Sequence, residues 1–157
     1  MLNPYFVTGL TEGEGSFTYS RVSVDQRRLS LVFALSLTKD DYGLILSLRE
    51  FFGFGRIYWF GSRKTTEHSG NTRAKRFYRV TRMLDLYRLM KHFDTYPLQG
   101  HKGKVYEAWK DVLFYKSRTS LSRIDPQKLE LLLAKLSILT NKGRRSVKDH
   151  ARAVLGR

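Results

Sequence analysis

The sequence has no cysteine, only three prolines and only 14 acidic residues among 157. Without cysteine there is no disulfide framework, no Cys-ligated zinc site and no thiol nucleophile. No apolar run approaches the roughly 20 residues of a membrane span, and the N-terminus lacks the basic start and apolar stretch of a signal peptide. The four histidines do not have the spacing of metal ligands. These absences disfavour redox, zinc and membrane functions, so we expect no membrane partner.

Basic residues are present in large excess. The 29 lysines and arginines outnumber the 14 acids and give a net charge of +15. With 41% hydrophobic and 13% aromatic residues the chain can bury a core, so this charge does not indicate a disordered tail. We predict one folded domain over residues 1–141 and a basic tail over 142–157. A basic surface of this kind attracts polyanions, namely DNA, RNA or an anionic membrane.

Apolar spacing and turn residues predict an α+β fold with two antiparallel hairpins. Helices are predicted over 3–13, 39–53, 84–95, 104–115 and 125–140, and strands over 16–24, 29–37, 54–60 and 75–81. The order helix, two strands, helix, two strands, helices favours a four-stranded sheet with helices on one face. The other face of the sheet would then be open.

Basic residues concentrate on the predicted second hairpin. Residues 62–82 contain seven Lys and Arg against one acid, whereas residues 1–20 contain none. The two-residue period of a strand puts these side chains on one face, about 30 Å long, which is close to one turn of duplex. We predict contacts to nucleic acid through a set of basic, hydroxyl and aromatic side chains on that face. The set is Ser16, Thr18, Ser20, Arg28, Ser30, Arg56, Tyr58, Arg63, Lys64, Arg73, Lys75, Phe77, Arg79 and Thr81.

Two other interpretations of this face stay open. Its charges could serve only solubility, although the concentration of seven basic residues in 21 favours binding. RNA could be the ligand, but the glycine-aromatic run of an RNA-recognition sheet does not occur in the central strands.

Two glutamates stand where the first helix meets the first strand. Glu12 and Glu14 are the only charged residues among the first twenty. A carboxylate near a helix C-terminus opposes the macrodipole, so fold stability does not explain Glu14, whereas a divalent cation such as Mg²⁺ would. The alternative is a pair of exposed glutamates beside a turn. Gly9 and Gly13, four residues apart, predict close packing of another backbone against this helix, and Gly15 predicts a sharp turn into the strand.

The segment from residue 7 to 17, VTGLTEGEGSF, resembles the signature of the LAGLIDADG homing endonucleases. The resemblance extends to Lys39-Asp40, to FFGFG at 51–55, and to Tyr96-Pro97-Leu98 followed by Lys102, and it covers residues 3 to about 115. It implies an αββαββα core whose antiparallel sheet forms a saddle on double-stranded DNA, with extra C-terminal helices. It also implies metal-dependent phosphodiester hydrolysis, with Mg²⁺ as the expected cofactor.

The family's catalytic roles transfer to matching positions. The resemblance implies that Glu14 coordinates the catalytic metal, that Gly13 contributes its backbone carbonyl, and that Glu12 is structural. Lys102 matches the basic residue that acts on the scissile phosphate or its water network, and the adjacent His101 is interpreted as a loop histidine.

One position departs from the family pattern. Where the family often has a polar residue near the end of the second strand, this sequence has Leu37. The water-positioning role is therefore absent, displaced to Ser36 or Thr38, or assigned to the wrong position.

The chain has one copy of the motif, which predicts a homodimer. Its interface would comprise Val7, Gly9, Leu10 and Gly13, and a two-fold axis predicts a long pseudo-palindromic target. The resemblance implies a site-specific double-strand break with short 3′ overhangs, intron homing, and an intracellular location in an organelle or microbe. Two alternatives stay open: a maturase bound to its own intron RNA, and a nuclease-dead DNA-binding protein.

Overall fold

A computed structural model describes residues 1–21, 27–61 and 74–140. Arg63, Lys64, Arg73 and the predicted tail over 142–157 lie outside these residues, as does the end of the first predicted strand. The elements are α1 Pro4–Glu14, β1 Gly15–Arg21, β2 Leu29–Thr38, α2 Tyr42–Phe52, β3 Arg56–Phe60, β4 Lys75–Val80, α3 Met83–Thr95, α4 His101–Arg118 and α5 Pro126–Leu139. Short 3₁₀ turns cover Lys39–Asp41 and Leu121–Arg123.

The described chain divides into two compact units, and β1 and β2 each contribute residues to both. The first unit comprises the described residues of Met1–Phe17 and Leu31–Gly100, and the second those of Thr18–Ser30 and His101–Arg157. No described helix is long and apolar enough to cross a membrane. The expectation of one domain over residues 1–141 stays a prediction.

The four strands form one sheet in the order β1-β2-β4-β3. β4 runs antiparallel to both of its neighbours, with Phe33 opposite Val80 on β2 and Arg56 opposite Arg79 on β3. The predicted mixed fold with a four-stranded antiparallel sheet is confirmed.

The core of the first unit lies on one face of the sheet. Phe17 and Phe33 both contact Phe93 of α3, with ring centroids 5.4 and 5.8 Å away, and Tyr78 stacks on Phe52 of α2 at 5.8 Å. All of these side chains except Phe52 are nearly inaccessible to solvent. Alternate strand residues therefore point away from the core and form the second face of the sheet.

The second unit is built on α4 and α5. Trp109 of α4 is fully buried and donates its indole N–H to the Thr18 carbonyl at 3.0 Å. Apolar residues of α5 recur at helical spacing on the buried side, namely Leu129, Leu133 and Leu136. Asp125 caps α5 through the Gln127 amide at 2.9 Å, as Asp125-Pro126 predicts.

Two predicted boundaries change for physical reasons. Gly53 and Gly55 have φ of 72° and 86°, which lies outside the β region, so β3 begins at Arg56 and not at Phe54. α4 begins at His101, three residues earlier than expected. Lys102 therefore lies in the first turn of a helix.

Candidate active site and nucleic-acid interface

α1 passes directly into β1, which fixes where its last residues lie. Asn3 caps the helix by accepting the Tyr5 amide at 2.9 Å, and Pro4 occupies the first turn. At the other end a Cβ on Gly15 would lie 2.6 Å from Thr11 Cγ2 and 2.8 Å from the Thr11 carbonyl oxygen. Gly15 has an ordinary extended backbone, so steric room, and not an unusual φ, requires glycine there.

Glu14 is the last residue of α1 and is exposed. It makes no ion pair with the described residues, and no basic residue lies in the last turn of its helix. Gly13 is exposed beside it, in the turn whose backbone carbonyls have no partner further along the helix. An exposed carboxylate next to free carbonyl oxygens is a donor set that suits Mg²⁺.

One chain supplies only part of a metal shell. Among the residues that the structure describes, no three His, Asp or Glu side chains group as metal ligands. Glu14 and Gly13 could hold a divalent cation whose remaining ligands are water, phosphate oxygen or groups from a second chain.

Glu12 has a different environment from Glu14. It is half-buried, and its Oε1 accepts the Gly100 amide N–H at 2.8 Å. A Cβ on Gly100 would lie 3.1 Å from Glu12 Oε2, so this approach is close. Glu12 thus connects α1 to the segment after α3, a contact that suits the structural role expected for it.

α1 is also attached to the C-terminal end of α3. Thr8 donates its hydroxyl to the Tyr96 carbonyl at 2.9 Å and lies 3.3 Å from His92 Nε2. His92 touches the rings of Phe51, Phe52, Phe93 and Tyr96. Burial among them lowers the pKa of His92 to about 4, so the ring is neutral at physiological pH.

The exposed side of α1 carries the glycines. No atom would lie within 4 Å of a Cβ on Gly9 or Gly13, so nothing in the described chain requires either glycine. Phe6 is 48% exposed on the same side, and Leu10 is partly exposed. Val7 has no exposed surface and packs in the core of its own chain, which corrects its assignment to the predicted dimer interface.

The sheet face opposite the core of the first unit, here called the open face, carries most of the predicted nucleic-acid contacts. Strand alternation and pairing put Arg56 opposite Arg79, Tyr58 opposite Phe77, and Phe60 opposite Lys75. Phe77 is partly buried under Phe60, whose ring lies 5.2 Å away. Thr81, which is exposed, directly follows β4 instead of ending it.

The open face continues on β1 and β2. Ser16 is exposed and donates its hydroxyl to the Ala34 carbonyl at 3.2 Å. The remaining predicted contacts within the described chain belong to the second unit. Ser20 and Arg28 are exposed there and Ser30 is partly exposed, whereas the Thr18 hydroxyl is shielded from solvent, which corrects its assignment as a surface contact.

Leu37 lies on the core side of β2. It is 9% exposed and stands opposite Arg76, while its neighbours Ser36 and Thr38 stand opposite Phe77 and Lys75 on the open face. A water-positioning role at Leu37 is therefore incompatible with its orientation. Ser36 and Thr38 are the polar groups on the open face at this end of β2.

Lys102 belongs to the second unit and is partly exposed in the first turn of α4. No acidic residue accompanies it in that turn, and a cation at a helix N-terminus opposes the macrodipole. His101 donates its Nε2 proton to the Leu139 carbonyl at 3.0 Å, which gives this histidine a structural contact.

Arg76 is a charged residue that strand alternation alone does not assign to a role. It lies on the core side of β4, with its guanidinium 4.8 Å from the Tyr42 ring centroid and 5.2 Å from that of Trp59. Trp59 is 63% exposed. The run Lys75-Arg76 shows the charge, but only pairing with β3 and α2 brings the two rings to it.

Comparison with known proteins finds similarity over most of the chain. The family model described as LAGLIDADG endonuclease matches residues 7–113. An uncharacterised 50.9 kDa protein in ND4 intron 1 of Podospora anserina is 31% identical over 129 residues, 78% of this chain and 26% of that protein. The probable intron-encoded endonuclease 3 of Neurospora crassa is 28% identical over 69% of this chain and 19% of its own length. The chain thus spans about a quarter or less of these curated relatives.

Solved structures share the fold. The homing endonuclease I-TnaI has a TM-score of 0.69 at 20% identity, and the alignment covers 94% of this chain and 97% of that one. The LAGLIDADG meganuclease I-AabMI, solved bound to uncleaved DNA, has a TM-score of 0.69 at 26% identity over 86% of this chain and 45% of its own. I-SmaMI, solved on uncleaved DNA with calcium ions, is 27% identical with a TM-score of 0.62 over 88% of this chain and 44% of its own.

Proposed function

The chain belongs to the LAGLIDADG endonuclease family, and from this membership we propose that it is a site-specific, metal-dependent DNA endonuclease that acts as a homodimer. The proposed reaction is a double-strand break with short 3′ overhangs in a long pseudo-palindromic target, as in intron homing. Intron-encoded relatives support an origin in an intron.

The placement of Glu14 carries the proposal. Glu14 is an exposed carboxylate at the negative end of α1, with no cation among the described residues to pair with it. Such a position lowers stability unless a cation binds there. We assign metal coordination to the Glu14 carboxylate and the Gly13 carbonyl, and Lys102 to the scissile phosphate or its water network.

Charge stabilisation at phosphorus and acidification of a water are the chemistry that Mg²⁺ supplies in such sites. The contribution of the chain itself is to hold the carboxylate rigidly at the junction of helix and strand. The calcium ions named for I-SmaMI support a divalent cation.

The open face supports double-stranded DNA as the substrate. It presents Arg56, Lys75 and Arg79 with Tyr58 between them, a mixture that combines phosphate contacts with base-edge hydrogen bonds. Structural neighbours such as I-AabMI are bound to DNA.

The homodimer is supported by two observations. The chain aligns with less than half of I-AabMI and I-SmaMI but with nearly all of I-TnaI. The exposed Gly9 and Gly13 leave room for a second α1 to approach closely across a two-fold axis. Two chains would bring together two Glu14 carboxylates, one for each DNA strand.

A selection from a random duplex library, with Mg²⁺ as the added ion, tests the proposal. Wild type, Glu14→Gln and the control Glu50→Gln are compared, because Glu50 is an exposed glutamate of α2 and its change alters charge equally. We expect wild type and Glu50→Gln to cut and Glu14→Gln to bind without cutting. Cleavage should fall by more than about 100-fold, since even second-shell partners of a metal are worth 10- to 100-fold.

The other outcomes identify the alternatives. Cleavage by Glu14→Gln at the wild-type rate would refute the catalytic assignment. Binding without cleavage by wild type would identify a nuclease-dead DNA-binding protein. If no duplex is enriched, selective binding of the host intron RNA would identify a maturase.

A further inference from the structure

A cavity of about 410 Å³ shares Arg56, Tyr58 and Arg79 with the open face and extends to the start of α3. The glycine turn over 53–55 forms part of its wall. Four arginines line it, namely Arg56, Arg79, Arg82 and Arg88, and Asp85 is the one acidic residue among its lining residues in the described chain. The lining therefore has an excess of positive charge that the surrounding protein does not balance.

Arg56 and Arg79 stand directly opposite each other on β3 and β4. Like charges in directly opposed strand positions destabilise a sheet. Neither arginine has an acidic partner among the described residues, and the Nε atom of Arg79 is shielded from solvent without a hydrogen-bond partner there. Fold stability does not explain this pair, whereas a bound anion would offset its repulsion.

Arg82 and Arg88 approach the cavity from α3 on either side of Asp85. Asp85 is 5% exposed, and its carboxylate lies 3.9 Å from Arg82 Nε and 3.7 Å from Arg88 Nη1. Both distances exceed those of charge-assisted hydrogen bonds, and the two arginine side chains stay 76% and 58% exposed. Asp85 thus keeps both guanidinium groups near the cavity while leaving N–H donors for another acceptor.

We propose that this cavity, here called the arginine pocket, binds a phosphate group through Arg56, Arg79, Arg82 and Arg88. A guanidinium group matches the geometry of phosphate oxygens and stays charged at any physiological pH. Resting on the proposed function, the inference assigns to the pocket a backbone phosphodiester of the DNA whose bases meet the open face. Such a contact sets the register of the protein on the duplex without reading sequence.

The DNA measurement compares wild type with Arg82→Gln, Arg88→Gln and the double variant, and Lys91→Gln is the matched control. Lys91 is an exposed cation on α3 that does not line the pocket. We expect the pocket variants to weaken binding of target and scrambled duplexes by the same factor. The slope of log K against log salt should become shallower by about 0.9 per lost phosphate contact, hence about twice that for a dimer. Lys91→Gln should retain the wild-type slope.

A second measurement uses inorganic phosphate without DNA. At constant ionic strength, phosphate should raise the unfolding midpoint of wild type and Lys91→Gln over a chloride reference, and the double variant should lose this increase. Arg88→Lys keeps a charge beside Asp85 but loses the planar fork, so it should fold as wild type and show a reduced increase.

The results separate this inference from the proposed function. If wild type binds and cuts DNA but the pocket variants keep its salt slope and its response to phosphate, the arginine pocket is refuted and the nuclease stands. If wild type binds no DNA while phosphate stabilises it through Arg82 and Arg88, the pocket stands as a site for free phosphate and the nuclease fails. Equal stabilisation of wild type and the double variant would also refute the pocket.

Discussion

Glu12 and Glu14 are the same residue type two positions apart, yet the fold gives them different tasks. Glu12 accepts the Gly100 amide at 2.8 Å and is half-buried, whereas Glu14 is exposed and unpaired among the described residues. A carboxylate that already accepts a backbone hydrogen bond is engaged in the fold, and an exposed one is available to a cation.

The substitution to glutamine should separate the two residues. Glu12→Gln keeps an amide oxygen that can accept the Gly100 N–H, so cleavage should stay within about tenfold of wild type and stability within about 1 kcal/mol. Glu14→Gln should leave stability unchanged or slightly raised and remove cleavage. Paired measurements of denaturant unfolding and cleavage rate check this, and equal loss of cleavage in both variants would contradict it.

His92 makes the stability of the first unit depend on pH. Burial lowers its pKa to about 4 from an ordinary value near 6.5. Above pH 6.5 the ring is neutral in both states, and below it the unfolded chain binds the proton more readily. The free energy of unfolding should therefore fall as pH decreases from about 6.5 to 4 and stop changing below that.

His92→Phe tests this pH dependence, because phenylalanine suits the aromatic surroundings and Thr8 can still donate to the Tyr96 carbonyl. Unfolding midpoints at pH 7 and pH 5 should differ less in the variant than in wild type. An unchanged difference would show that another group titrates in this range.

At the scale of elements, the junction of α1 and β1 uses glycine in two ways. Gly15 lies against Thr11, where a Cβ has no room, whereas Gly9 and Gly13 face open space. Glycine in a helix interior costs about 0.5 to 1 kcal/mol relative to alanine. The first use is explained within the chain, and the second requires something outside it.

Gly15→Ala should destabilise the protein by about 1 to 3 kcal/mol, the range typical of overpacking. The reason is the clash of the new methyl group with Thr11 Cγ2 and the Thr11 carbonyl oxygen. Denaturant unfolding measures the loss. A stability equal to that of wild type would mean that Thr11 can move aside.

Alanine at Gly9 and Gly13 together should have two opposite effects. The isolated chain should gain about 0.5 to 1 kcal/mol per site from the better helix former, and dimerisation should weaken by at least tenfold because the added methyl groups hold the two helices apart. Sedimentation over a concentration series measures the dimer.

Gly43→Ala is the matched control for this effect. Gly43 lies on α2 with the same open surroundings, so its change should alter stability but not association. If the Gly9 and Gly13 variant dimerises like wild type, α1 is not the interface.

At the scale of the whole molecule, the charge of +15 and the single motif act together. The charge favours any polyanion and sets how strongly binding depends on salt. The motif, present once, makes the proposed catalytic unit two chains, so symmetry constrains the target.

The recovered target should be a pseudo-palindrome of about two helical turns, and binding should weaken by about 10³-fold or more between 50 and 200 mM salt. Selection at low salt, followed by affinity measurements across that range, checks both expectations. A target without two-fold symmetry, cut by a single chain, would contradict the homodimer.

The sequence by itself determined the order of helices and strands, the caps at Asn3 and Asp125, and the concentration of basic residues on the second hairpin. These features follow from local periodicity and from side chains acting on neighbouring backbone. The motif around Glu14 likewise identified the family, because its residues are contiguous along the chain.

Only the tertiary structure decided which side chains remain available. It buried Val7, turned Leu37 toward the core, shielded the Thr18 hydroxyl and brought Arg56 opposite Arg79 beside Asp85 of α3. Each outcome depends on strand register or on packing between elements far apart in sequence, and a one-residue change of register would reverse the face that a side chain occupies.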